Sequence, residues 1–226
     1  MESLPDSKTL AASSAMSTQS ERLATNLALV TVVGIVVYIV IDVIAQLLPP
    51  HYNPISQAES DLAVGPYGYL MTINFVIRGL LSFILLVGLM KGLPSRTRSS
   101  VGLLMLGIWA IGAFLLAFFP TDIAGSGHVT LHGLIHLFVA FIAFVSVAIG
   151  EFLLSLRFSV DERWQSIRTP ALTIAILALI ALLLLFVGPS LGLKNIGGLL
   201  ERLFLGLALL WILLVALRLR SLSGNR

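Results

Sequence analysis

The chain has 226 residues, 58% hydrophobic and 11% charged, with a formal net charge of +3. Soluble domains carry roughly a quarter charged residues, so this composition excludes an ordinary soluble globule and calls for lipid as the solvent of the excess apolar surface. The absence of cysteine excludes disulfides, thiolate metal sites and a cysteine nucleophile, so any metal must sit on His, Asp or Glu.

Residues 1–20 are rich in Ser, Thr and Ala without an apolar period, which predicts a flexible tail. Six apolar blocks follow at 23–48, 68–90, 100–119, 130–156, 170–187 and 196–219. Each approaches or exceeds the roughly 20 helical residues that span a bilayer core. The first is too long for a signal-peptide core and lacks a cleavage site, so it is expected to remain as a span. Alternating segments of strand length are absent, and an open sheet cannot satisfy its backbone in lipid. The fold class is therefore all-α: a polytopic membrane protein with a six-helix transmembrane bundle over 23–219, followed by a second short tail at 220–226.

Orientation follows from the loops. Lys8 and Arg22, then Lys91, Arg96 and Arg98, then Arg157, Arg163 and Arg168, then Arg218, Arg220 and Arg226 fall on one side, against Lys194 alone on the other. The positive-inside rule places both termini in the cytoplasm. The same bias explains the pI of about 9.6 without a basic patch for nucleic acid.

The first outer loop holds Ser56 and Glu59 at capping-box spacing, ahead of Gly65 and Pro66. That pattern predicts a short interfacial helix stopped by the Gly-Pro pair. A sharper reading gives Ser56 or Ser60 a nucleophile's role beside a histidine, or makes Glu59 and Asp61 metal ligands.

Counting inward at 1.5 Å per residue puts Asp42, Asn74 and His136 about 9 Å below the outer surface and Glu201 and Arg202 about 8 Å. Arg78 starts deeper, at about 15 Å, on the helix face it shares with Asn74, and its expected partner is Asp42 or Glu201. A central intramembrane charge costs about 2.5 to 3.5 kcal/mol on insertion scales, so these groups must meet one another inside the bundle. Such a layer serves either as a register-setting network or as a pocket open to the outside.

After Pro120 the chain runs through Thr121, Asp122 and His128 to His132 and His136. Histidines four apart chelate one ion on a helix face, so His132, His136 and Asp122 form a candidate site for a divalent metal such as zinc. The competing reading is hydrogen-bonded or proton-relay histidines, with Thr121 and Asp122 as caps. Gly88 and Gly92 stand at GxxxG spacing and predict close helix packing.

The segment from Ile55-Ser56 through Ser60-Asp61-Leu62 to Gly65-Pro66-Tyr67-Gly68, the strings Phe119-Pro120-Thr121-Asp122 and Thr130-Leu131-His132-Gly133-x-x-His136, and Gly198-Leu199-Leu200-Glu201-Arg202 together resemble the prokaryotic integral membrane family catalogued as domain of unknown function 998. The resemblance spans roughly residues 23–219 and implies a six-helix membrane protein without an assigned activity. The leading functional expectation is a protein that binds a small or lipid-headgroup ligand in an outward-facing pocket lined by Asp42, Asn74, Arg78, His136, Glu201 and Arg202, with membrane lipids as its surroundings. A metal-dependent intramembrane hydrolase acting on a lipid ester or amide and a structural scaffold are the alternatives, so enzymatic activity stays open.

Overall fold

The computed structural model describes residues 7–123 and 127–224. Its α-helices are α1 (Ser7–Leu47), α2 (Gly68–Gly92), α3 (Ser100–Leu115), α4 (Leu131–Arg157), α5 (Glu162–Val187) and α6 (Gly197–Gly224). Five contain stretches long and apolar enough to cross a membrane, and α3 is a shorter apolar helix. Consecutive helices pack on one another and α1 returns against α6, which closes the bundle into a ring. Valines and isoleucines such as Val36, Val40, Ile111 and Ile180 cover its outside.

Each predicted apolar block corresponds to one helix, but the ends differ for identifiable reasons. α1 begins at Ser7, inside the stretch read as a flexible tail. Residues 7–20 contain neither Gly nor Pro, so a helix nucleated in the span propagates upstream at little cost per residue; residues 1–6 lie outside the described part. At the other end α6 continues through most of the predicted second tail to Gly224. α3 stops at Leu115 rather than Phe119, and the chain leaves it through tighter turns in which Ala117 N–H bonds Phe114 O and Phe118 N–H bonds Leu115 O. Pro120 dictates this exit, because it lacks an N–H and drives the preceding residue out of the helical region. α5 starts earlier than expected, at Glu162, and carries Pro170 within it.

Small residues set the helix spacing. Ala171, Ala175 and Ala178 are fully buried on α5, which packs against α6. A Cβ on Gly79 would lie 2.7 Å from Phe114 Cβ, so α2 and α3 approach as closely as backbones allow. Gly88 and Gly92 face Leu219 and the first turns of the α1 span, near Ala24, which is the close packing that their spacing predicts.

Candidate functional site

The 49–67 loop folds over one end of the bundle, and its backbone explains how. Tyr52 Oη donates to the carbonyls of Gln57 and Ala58 at 2.8 and 2.6 Å. A 3-10 helix follows at Glu59–Ala63, with Asp61 Oδ2 accepting from Ala58 N–H at 3.2 Å. Burial pushes the Asp61 carboxyl above its ordinary pKa, opposed by that Ala58 hydrogen bond and by Arg202. Gly65 then takes a left-handed φ of 105°, the conformation for which glycine is suited. The expected Ser56–Glu59 capping box does not form: the helix starts after Ala58, and the Glu59 side chain turns inward instead.

That inward turn supplies the partner of Arg78. Arg78 Nη1 lies 2.9 Å from Glu59 Oε2, with side chains 2% and 6% exposed. The same nitrogen donates to Tyr38 Oη at 3.1 Å, and the Tyr38 hydroxyl donates to the other Glu59 oxygen. The expected pairing of Arg78 with Asp42 or Glu201 is thus replaced by a pairing with Glu59. Three rings surround the guanidinium: Phe75, Trp109 and Tyr38 have centroids 5.1, 5.3 and 5.6 Å from Cζ. Contacts of this kind are worth about 0.5–2 kcal/mol each. Trp109 is itself held by a 2.9 Å bond from Nε1 to Ser82 Oγ.

The remaining predicted residues gather around this pair. Asn74 Nδ2 donates to Tyr38 O at 3.0 Å. Glu201 Oε2 accepts from Glu59 N–H at 3.1 Å, which ties α6 to the loop. Arg202 Nη1 donates to the carbonyls of Gln57 and Pro54 at 3.1 and 3.3 Å, Nη2 bonds Tyr52 Oη, and the guanidinium stands 5.0 Å from the Tyr52 ring centroid. Asp42 Oδ2 accepts from Gln46 Nε2 at 2.6 Å. Its Oδ1 and the Nε of Arg202 are buried without a partner.

Two clefts flank the network. The first, of about 360 Å³, lies between α1 and α6: Tyr38, Asp42, Glu59 and Arg202 line its polar part, and Ile35, Leu205, Leu209 and Leu213 are among its apolar walls. The second, of about 230 Å³, meets Ser60, Arg78, His136 and Glu201 together with Phe75, Phe141, Phe144 and Phe186. Asp42 and Arg202 therefore share one cleft and Arg78, His136 and Glu201 the other, while Asn74 packs between α2 and α1.

The candidate metal ligands have other occupations. Asp122 accepts from Thr130 Oγ1 at 2.6 Å and from Thr130 N–H at 3.0 Å, and these bonds hold its carboxyl below its ordinary range. Thr130 in turn caps α4 through Gly133 N–H. His136 is buried, with Nδ1 2.7 Å from Phe119 O, whereas His132 is exposed, its ring 5.9 Å from that of Phe119. Among the described residues, no group of three or more His, Asp or Glu side chains is assembled that would hold a metal ion. Asp122 and His132 line one outer cleft together with His128, but the Asp122 carboxylate is engaged by Thr130, and His136 lies instead in the cleft of Arg78 and Glu201.

Sequence reasoning passed over Tyr38, although it lies one turn before Asp42 on the same face. It also passed over Glu151, which is fully buried near the opposite end of α4 with both carboxyl oxygens unpartnered. No curated protein and no solved structure matches the chain. A family model does match, over residues 32–218, and the chain belongs to that family, described as Protein of unknown function (DUF998).

Proposed function

We propose that this protein spans the membrane six times, with both termini in the cytoplasm of a prokaryotic cell, and binds a membrane amphiphile whose headgroup sits in the outward polar layer. The observation that carries this reading is the cleft between α1 and α6. Its polar residues, Asp42, Glu59 and Arg202, lie at the loop end, and its apolar residues continue along α6 to Leu213. From Arg202 to Leu213 the helix advances about 16 Å at 1.5 Å per residue, the length of a substantial part of an acyl chain. A polar head above a long apolar wall is the profile of a lipid rather than of a small soluble polar ligand.

Gly206 provides the test. It lines this cleft, and a Cβ there meets nothing within 4 Å, so a larger side chain can leave the backbone toward the cleft without a clash at its first carbon. Gly206→Phe removes an interior helix glycine, whose cost relative to ordinary residues is several tenths to about 1 kcal/mol. The lipid-free variant is expected to unfold at or above the wild-type temperature, while the stabilisation that added phospholipid gives the wild type is lost. Equal stabilisation of both proteins by phospholipid would remove this cleft as the binding site. A wild type that no phospholipid stabilises would leave the polar layer with a purely structural role.

A further inference from the structure

We infer that the headgroup accepted between α1 and α6 is zwitterionic, a phosphate joined to a primary ammonium, as in an aminophospholipid; this rests on the amphiphile-binding reading above. Two independent features of the cleft point there.

The first is a pair of unused hydrogen-bonding atoms of opposite kind. Asp42 Oδ1 is a buried acceptor without a donor, and Arg202 Nε is a buried donor without an acceptor. Both residues line the same cleft. The protein uses the rest of each group internally: Asp42 Oδ2 holds Gln46, and the terminal nitrogens of Arg202 hold Tyr52 and the loop carbonyls. An orphaned buried polar atom costs about 1–3 kcal/mol. Asp42 and Arg202 do not satisfy each other with these atoms, so the layer presents an acceptor suited to a cation and a donor suited to an anion at separate points. Both side chains are only half-buried, and the terminal torsion of an aspartate is broad and roughly two-fold, so the carboxylate turns readily toward a ligand.

The second feature is the charge of the layer. The carboxylates of Asp42, Glu59 and Glu201 face the guanidinium groups of Arg78 and Arg202, and Asp61 of the loop adds another acid. Arg78 is committed to Glu59. An anionic head such as phosphoglycerol would bring its phosphate to Arg202 but offer Asp42 only a neutral hydroxyl, so it would add negative charge beside the carboxylate without a cation to balance it. A neutral diacylglycerol would leave Arg202 Nε without its anion. A head carrying both charges supplies the phosphate that Arg202 lacks and the N–H donor that Asp42 lacks, in charge-assisted hydrogen bonds of the stronger class.

The experiment compares stabilisation of the purified protein in one neutral detergent by phosphatidylethanolamine, phosphatidylglycerol and diacylglycerol of identical acyl chains, with soluble phosphoethanolamine as the tail-less control. Phosphatidylethanolamine is expected to bind about tenfold more tightly than phosphatidylglycerol, a gap set by pairing the Asp42 carboxylate with an ammonium rather than with a neutral hydroxyl. Asp42→Asn, which keeps an acceptor oxygen but loses the charge, is expected to bring the two within about threefold and to leave phosphatidylglycerol at least as tight as before. Phosphatidylglycerol binding as tightly as phosphatidylethanolamine to the wild type would overturn the headgroup assignment while leaving amphiphile binding intact. Stabilisation by phosphoethanolamine at the concentration effective for the lipid would assign the cleft to a soluble zwitterion and overturn the lipid. If none of the lipids stabilises the wild type, amphiphile binding itself fails.

Discussion

Arg78 and Glu151 are both fully buried charges by sequence, yet their surroundings differ completely. Arg78 has a carboxylate and three aromatic rings around it, one of them the phenol of Tyr38. Removing one partner of such a pair strands the other, at about 3–5 kcal/mol. Arg78→Ala and Glu59→Ala are therefore each expected to lower thermal stability sharply, whereas the double variant loses less than the sum of the two, as a double-mutant cycle by calorimetry would read. Glu151 has no such company: neither carboxyl oxygen finds a donor. Glu151→Met replaces it with an unbranched apolar chain of similar length. It is expected to raise stability by about 1–3 kcal/mol, the cost of an unsatisfied buried polar group. A lower melting temperature for this variant would mean that the carboxyl has a stabilising role that its contacts do not reveal.

At the scale of elements, the loops at the two ends of the bundle are built differently. At one end the first turn of α6 is pinned by the 49–67 loop: Leu199 N–H donates to Ile55 O at 2.9 Å, and a Cβ on Gly198 would collide with the Gln57 carbonyl. At the other end Asp161 caps α5 through Arg163 N–H at 3.0 Å and accepts from Arg96 at 3.2 Å, so it ties the α2–α3 loop to the α4–α5 loop. Burial raises the Asp161 pKa, but its hydrogen bonds to Arg163 and Arg96 outweigh burial and leave it below the ordinary value. The folded state therefore binds its proton less readily than the unfolded chain. The resulting stability is present above the unfolded pKa of about 3.9 and disappears as pH falls through the lower folded value. Asp161→Asn keeps the cap, which asparagine fills as well as aspartate, but loses the charge paired with Arg96 and Arg163, and is expected to melt earlier than wild type at pH 7 by at most about 1 kcal/mol. The difference should shrink toward zero as pH falls below the lower folded value; a gap that persists in acid would show that the charge is not what matters.

These elements also show what was legible in the chain alone. The helices were, because runs of about twenty apolar residues have one stable form in lipid. The convergence of polar groups was too, since helical rise converts residue number into depth. The identity of Arg78's partner was not: Glu59 lies in a loop, where no period relates position to direction, and its capping-box spacing with Ser56 suggested a local role. The placing of His132 and His136 in different clefts was not legible either, because a four-residue interval puts two rings near one face without showing what packs between them, nor that Thr130 claims Asp122.

For the whole molecule, the inference that matters most is which end faces out, since an amphiphile site in the outer layer requires the Glu59 loop to be extracellular. The contacts gather the basic loops at the opposite end: Arg157 reaches the Arg96 carbonyl and Arg218 the Arg163 carbonyl. Lys194 instead precedes α6 at the Glu59 end. Under the proposed topology, which follows the positive-inside rule, the Arg96 end is the cytoplasmic one. Because the chain has no cysteine, a single introduced thiol reports its own side without background. Ser56 and Ser190 are exposed at the Glu59 end, Ser95 and Ser159 at the other. In intact cells a membrane-impermeant maleimide is expected to label Ser56→Cys and Ser190→Cys and to spare Ser95→Cys and Ser159→Cys, which react only after permeabilisation. The short α3 makes this more than a check of orientation. At 16 residues it is about 24 Å long, against a core of about 30 Å, so it spans only if the turns after Leu115 complete the crossing. If α3 failed to cross, the 49–67 and 188–196 loops would lie on opposite sides of the membrane, and Ser56→Cys and Ser190→Cys would label differently. The hydrogen bond from Leu199 to Ile55 requires both loops on one side, so equal labelling is the outcome under which the ring of helices and the polar layer stand together.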